Sequence, residues 1–354
     1  MSGKRVTSQD VAKAAGVSRT TVSMVLNNVK SVQISDETRQ LVIKTADDLG
    51  YVPNAAAQAL ASQRSQTIGL VMARQSHHII ADAFLNMILD GMLRSVHKHG
   101  LRLMIEIVEP KHQQETYMHL ARSKHIDGLI LAGVRQDDEG IDTLIREGIP
   151  VVLIGSLPES KICTVDVDNR AAAYMATAHL IHLGHKQVAC ITNASLEFAA
   201  PAQRLEGYRQ ALASAGLPYD ERLVRCGDYD IQSGYWQMNS LLESGVAFRA
   251  VFVASDVVAL GAISALQERG LSVPRDVAVV GFDDVPMTRF MNPPLTTINV
   301  PAQQMTELAC ETLISQISSG DLSPRRLVMP TELVVRESCG AKPESMSRKS
   351  NPTS

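Results

Sequence analysis

The feature that most restricts the fold of this chain is a series of short apolar runs set too far apart for hairpins. From Thr67 onward they are IGLVM (68–72), LRLMIEIV (101–108), GLILA (128–132), VVLIG (151–155), VACIT (188–192), AVFVA (250–254) and VAVVG (277–281). Continuous runs of this length read as strands buried on both faces, the pattern of a parallel sheet. Parallel neighbours need a crossover of a dozen or more residues, and the intervening segments are long enough for a helix. At 354 residues the chain exceeds what one core accommodates. The expectation is an α/β core of two doubly wound parallel-sheet halves with a cleft between them, beyond the carboxyl ends of the strands.

The first sixty-six residues follow a different pattern. TSQDVAKAAGVSRTTVSMVLN (7–27) reads as two short helices around a turn bearing Gly16. Thr7 and Asp10 have the spacing of a reciprocal cap, and Val11, Ala12 and Ala15 make a narrow apolar face. Ser18 is placed to cap the second helix, where Val22, Val25 and Leu26 recur at i, i+3 and i+4. Its outward residues, Arg19, Thr20, Thr21, Ser23 and Met24, offer hydroxyls for phosphates and longer side chains for base edges, as a helix laid in a major groove requires. A third helix, capped by Ser35 with Asp36 and Glu37 in its first turn, carries the stripe Val42, Ala46, Leu49 and closes at Gly50. In YVPNAAAQALASQRS, Pro53 is suited to start an alanine-rich helix over residues 54–61. That helix is shorter than the ~12–15 residues needed for stability alone, so it folds only against something. Its small side chains permit close approach, and Leu60 is the one large apolar group, a wedge for a base step in a minor groove.

Charge is distributed accordingly. Residues 1–66 carry eight Lys/Arg against five acids, a balance of +3, so the rest of this chain of net charge −3 carries −6. Only the N-terminal piece suits a polyanion. There is no 18-residue apolar run and no apolar signal segment after Met1, which predicts a cytoplasmic, nucleoid-associated protein rather than a secreted or membrane one. The five cysteines (163, 190, 226, 310, 339) are odd in number, lack CxxC pairing and read as buried thiols. GxGxxG, GxxxxGK[ST] and GxSxG are absent, so neither a cofactor nor catalysis is expected.

With these elements in place, the chain resembles the LacI (lactose-repressor)/GalR family of bacterial transcription regulators. The matching stretches are DVAKAAGVSRTTVSMVLN (10–27), LGYVPNAAAQALA (49–61), HLIHLGH (179–185), RLEGY (204–208), SDVVALGAISAL (255–266), VAVVGFDD (277–284) and PPLTTINVP (293–301), in the family's order. The resemblance implies a helix-turn-helix headpiece (1–52), a hinge helix and linker (53–66), a periplasmic-binding-protein-like effector core (67–340) and a disordered tail (341–354). It also implies chain crossings near 165, 295 and 325, so that one half holds 67–165 plus 298–325 and the other 166–297 plus 326–340. The expected assembly is a homodimer on a pseudo-palindromic double-stranded operator, since the tail lacks the Leu heptads of a tetramerising coil. A solute-binding protein and an effector-independent architectural DNA binder are the alternatives.

The resemblance assigns DNA contact to Thr7, Ser18, Arg19, Thr20, Thr21, Ser23, Met24, Asn27, Asn54, Ala57 and Leu60. Met24 stands where the family often has Arg, which removes a guanine-reading fork and shifts base readout toward Arg19 and Thr20. It assigns contact with a small molecule, expected to be a sugar or sugar derivative, to Phe84, Arg204, Tyr229, Ser255 and Asp283. Arg204 is the forked donor, Asp283 the carboxylate for hydroxyls, Tyr229 an aromatic platform and Phe84 an apolar wall. Ser255 replaces a common Asn, weakening that contact or routing it through water. Asp256 and Asp168 are expected to cap helices. Trp236, near Tyr229 in sequence, is a candidate reporter of the cleft. The loop after the first strand is longer than the family usually allows; its His77–His78 pair lacks a third metal ligand at useful spacing and reads as a lid or surface feature.

Overall fold

A computed structural model describes residues 6–27, 32–52, 64–74, 82–108, 112–123, 125–157 and 161–341. The chain forms two compact units, Met1–Thr67 with Ser123–Asp127, and Ile68–Arg122 with Gly128–Ser354.

In the smaller unit, α1 (Ser8–Ala15) begins with the reciprocal cap: Thr7 Oγ1 accepts from the Asp10 amide, and Asp10 Oδ2 accepts from the Thr7 amide at 2.9 Å. Gly16, at φ 66°, ends it in the left-handed conformation. Ser18 caps α2 (Arg19–Leu26) by accepting from Thr21 N at 3.0 Å, and Ser35 caps α3 (Asp36–Asp48). Val11, Ala12, Ala15, Val22, Val25, Val42 and Ala46 form one small core, with Leu26 and Tyr51 packed on it. Leu49, expected in that stripe, is exposed. Gly50 and Tyr51 donate back to Asp47 O and Ala46 O, a turn that directs Leu49 outward and Tyr51 inward. The Asp127 carboxylate accepts from the amides of Ser65 and Gln66, which joins Ser123–Asp127 to this unit.

The larger unit holds two sheets. The chain runs through β1 (Thr67–Ala73), α4 (Ala83–Lys98), β2 (Arg102–Val108), α5 (Gln113–Arg122), β3 (Gly128–Ala132), α6 (Gly140–Arg146), β4 (Val151–Ile154) and β5 (Cys163–Val167). It continues through α7 (Asn169–His182), β6 (Val188–Thr192), α8 (Ala199–Ser214), β7 (Val224–Cys226), α9 (Ile231–Glu243), β8 (Ala250–Val253), α10 (Asp256–Glu268), β9 (Ala278–Asp283) and β10 (Thr296–Asn299). It ends with α11 (Ala302–Ser319), β11 (Arg326–Met329) and β12 (Glu332–Val334). The sheet orders are β11-β5-β4-β3-β1-β2 and β12-β10-β9-β8-β6-β7, with β12 antiparallel to β10.

All seven apolar runs form strands. β5 (CTVDV) is absent from that set because Thr164 and Asp166 interrupt its apolar pattern. It is nevertheless buried at every position, its polar groups satisfied by bonds such as Thr164 N to Arg325 O. Residues 326–329, expected in the second half, pair in parallel with β5 in the first sheet, and Thr296–Asn299 stays wholly in the second. The last crossing therefore lies between β11 and β12. The edge of β5 would otherwise be an unpaired row of backbone groups, and the strand following α11 covers it before the chain crosses.

Helices pack closely where glycine permits. A Cβ on Gly207 of α8 would lie 2.1 Å from Arg170 O of α7, and one on Gly261 of α10 would lie 1.8 Å from Ile231 O of α9. Four cysteines are buried, but Cys226, expected to be buried with them, is exposed.

Candidate functional site

The two sheets open on a cleft lined by residues that follow strands of both halves. Phe84, Arg204, Tyr229, Ser255 and Asp283 all line it. Asp283 ends β9, Ser255 follows β8, and Arg204 lies on α8, held against α7 by the Gly207 approach.

Arg204 is buried. Its Nε donates to Asn169 Oδ1 at 2.9 Å and its Nη1 to Ala254 O at 2.7 Å; Nη1 is also 3.6 Å from Asp283 Oδ1. The guanidinium stacks 3.7 Å above the Phe282 ring. Burial lowers the Arg204 pKa, opposed by the charges of Asp283 and Asp166. Burial pushes the Asp283 carboxyl up to about 7, against Arg204 and a hydrogen bond from Ser255. Asp166, also buried and raised by desolvation, accepts from the Val167 amide and the Asn169 side chain. Among the described residues four non-glycines have positive φ, and three of them, Tyr229 (58°), Asp283 (115°) and Asp284 (55°), are at or beside this cleft. Such backbone costs of order 1–3 kcal/mol each and concentrates at functional sites.

Several lining residues escaped the sequence reading. Arg74, just after β1, stacks 3.8 Å over the Tyr229 ring and pairs with Asp82, the buried cap of α4. That face of Tyr229 is thus covered by a guanidinium instead of being an open platform, and Phe198 meets the ring edge-on at 6.2 Å. Asn193 follows β6 as Ser255 follows β8, so the strand-end argument applied to every strand would have found both Asn193 and Arg74. A clasp joins the halves: Gln136 N donates to Glu197 O at 2.9 Å, Gln136 Nε2 to Leu196 O at 3.0 Å, and Arg135 pairs with Glu197.

Asp168 caps α7 by accepting from Ala171 N at 2.9 Å. Asp256 does not cap α10. Its carboxylate accepts from Val285 N and, at 2.6 Å, from the Thr297 hydroxyl, tying the ends of β9 and β10 together. Burial and the charge of Asp283 hold its pKa well above the usual carboxylate value. Trp236 is 63% exposed on α9 and does not line the cleft; it is a poor reporter of ligand.

On α2, Ser18, Arg19, Thr20 and Ser23 are exposed, while Thr21, Met24 and Asn27 are half-buried. The hydroxyls of Ser18 and Thr21 bond each other at 2.9 Å, Arg19 Nε donates to Ser8 Oγ, and Asn27 donates to Ser23 Oγ. Thr7 is exposed, with its hydroxyl on Asp10. Asn54, Ala57, Leu60, His77 and His78 lie outside the described residues, as do the hinge segment 53–63 and the tail beyond 341.

The chain carries both a three-helix piece with an exposed polar helix and a two-sheet unit with a cleft, and both match known proteins. Residues 7–54 match bacterial regulatory proteins of the lacI family, and residues 177–339 match a periplasmic binding protein-like domain. Over 338 residues the chain is 36% identical to the HTH-type transcriptional regulator CelR of Thermobifida fusca, covering 95% of this chain and 98% of CelR. The chain belongs to the LacI family. It is also 34% identical to the HTH-type transcriptional repressor CytR of Escherichia coli K12 over 339 residues, 95% of this chain and 97% of CytR. A CelR–cellobiose complex superposes with a TM-score of 0.73 at 35% identity, covering 94% of this chain and all of that one. The lac repressor dimer bound to operator and the anti-inducer ONPF superposes with a TM-score of 0.84 at 27% identity, covering 96% of this chain and all of that one. As a family member this protein is a DNA-binding transcriptional regulator, a reading the headpiece match favours over the solute-binding alternative. No helix among the described residues is long and apolar enough to cross a membrane.

Proposed function

We propose that this regulator represses transcription from a pseudo-palindromic operator as a homodimer in the bacterial cytoplasm, that it is not an enzyme, and that a neutral carbohydrate in the cleft sets its DNA affinity. The observation that carries the reading is the buried Arg204–Asp283 pair, a forked donor from α8 beside an acceptor for vicinal hydroxyls at the end of β9. The two guanidiniums lining the cleft already face carboxylates, Arg74 with Asp82 and Arg204 with Asp283, which favours an uncharged ligand over an anion. Phe84 supplies an apolar wall, Ser255 supports Asp283, and Tyr229 offers its edge or, once Arg74 moves, its face. The similar CelR is known in complex with cellobiose, which makes that disaccharide the first probe.

Residues 1–52 act as the DNA reader and 53–66 as the hinge. Arg19, Thr20 and Ser23 are the most available for bases and phosphates, while Thr7 and Ser18, engaged in caps, present helix N-termini to the backbone. Thr21, Met24 and Asn27 border that surface, and Asn54, Ala57 and the Leu60 wedge complete the proposed contact through the minor groove. A ligand that alters the angle between the halves shifts operator affinity.

The test is thermal stabilisation across sugars and ribonucleosides, beginning with cellobiose. At ~100 Kd a true ligand adds ~2.7 kcal/mol. Arg204→Ala melts lower, because Asp283 loses its partner, and from that baseline shows no ligand shift. If no sugar stabilises the protein, or Arg204→Ala responds as the parent does, the reading is wrong.

A further inference from the structure

We infer that Asn193 determines ligand specificity: its side-chain oxygen accepts a hydrogen bond from a hydroxyl of the bound molecule. The inference rests on the reading of the cleft as a carbohydrate site.

Asn193 follows β6, is 6% exposed and lines the cleft. Its Oδ1 is buried and has no hydrogen-bond partner among the described residues. Only Thr177 Oγ1 and Gln316 Oε1 share that condition there, and neither residue lines the cleft. The other cleft amide, Asn169, has its nitrogen on both Asp166 oxygens and its oxygen on Arg204 Nε. Asn169 is therefore a positioning residue for Arg204, whereas Asn193 retains an unmet acceptor.

The backbone holds Asn193 in place. Tyr229 N donates to Asn193 O at 2.8 Å, with Tyr229 itself at positive φ. One residue earlier, Gly227 N donates to Thr192 O at 2.9 Å, and a Cβ on Gly227 would lie 2.5 Å from that oxygen. Two backbone bonds hold the main chain of a residue whose side chain makes no structural bond through its oxygen. Leaving a buried carbonyl unpaired is unfavourable, so the arrangement stabilises the liganded state at the expense of the empty one. An amide oxygen only accepts. The ligand must present O–H or N–H at this point, and a ring oxygen, carbonyl or phosphate oxygen there is disfavoured.

Asn193→Leu, close in shape, separates the possibilities in two measurements. In the ligand-free full chain the variant should melt higher, by on the order of 2 °C or more. An unchanged or lower melting temperature overturns the proposal, because it means the amide already has a partner. In titrations with cellobiose and its monodeoxy analogues, one deoxy position should weaken the parent at least ~10-fold and leave the variant indifferent. A variant that keeps the parent's full discrimination also overturns it. If the parent binds no sugar at all, the carbohydrate reading fails, and the ligand-free melting comparison still decides whether Asn193 carries an unmet acceptor.

Discussion

Replacing Gly207 with alanine should disable the cleft from a position that does not line it. The added Cβ would meet Arg170 O at 2.1 Å, Tyr174 N at 2.9 Å and Ala173 Cβ at 3.0 Å. All three belong to the rigid part of α7, so no flexible side-chain tip moves aside. Ordinary contact begins near 3.4 Å, and α8 must therefore back away from α7 by roughly 1 Å. Arg204 lies on α8 less than one turn before Gly207, and its 2.9 Å bond to Asn169 on α7 lengthens past hydrogen-bonding range with the same movement. Overpacking costs about 1–3 kcal/mol, and a strained bond to a buried guanidinium about 1–3 kcal/mol more. The expected loss is about 2–6 kcal/mol, which differential scanning calorimetry should read as a fall in Tm on the order of 5–15 °C. Ligand-induced stabilisation should fall with it, while operator affinity without ligand, governed by the headpiece, should stay near the parent value. A Tm within about 2 °C of the parent with an intact ligand response would refute the claim that Gly207 sets the Arg204 geometry.

Two further outcomes follow from the described contacts. Asp283 is held up to about 7 by burial, above its unfolded range near 4, so the folded protein binds more protons than the unfolded one between those values. Stability should therefore fall as pH rises from about 5 to 7 and level off above; Asp283→Asn should flatten that fall, and parallel Tm–pH curves would count against the assignment. Thr7→Ala removes the hydroxyl half of the first cap, worth about 1 kcal/mol, and leaves the bond from the backbone amide of residue 7 to Asp10, so hydrogen exchange of the α1 amides should quicken several-fold with little change in the cleft unit. Equal exchange rates in parent and variant would show that the cap contributes nothing.

The headpiece was legible because its determinants are local. A cap is decided within three or four residues, and the Thr7–Asp10, Ser18–Thr21 and Ser35–Thr38 pairs are visible in a short window of sequence. Continuous apolar runs likewise mark strands whatever they pair with, although β2, expected to be buried on both faces, is an edge strand with Ile105 and Ile107 exposed. Leu49 went wrong at the point where a turn, set by Gly50, decides which way the next side chains face. Asp256 reads as a cap by position, yet Val285 and Thr297, distant in sequence, take its oxygens first. Met24, expected at a base-reading position, is half-buried.

What the sequence by itself determined is the kind of molecule: a capped helical reader, a two-sheet core, and the residues Arg204, Ser255 and Asp283 that line the cleft. Only the tertiary structure decided that β11 covers the edge of β5, that Arg74 occupies a face of Tyr229, and that Asn193 alone in the cleft carries a buried acceptor without a partner among the described residues. The division has one physical cause. Caps and apolar periodicity are settled by near neighbours along the chain, whereas strand edges, stacking and unmet hydrogen bonds depend on which distant groups folding brings, or fails to bring, within reach.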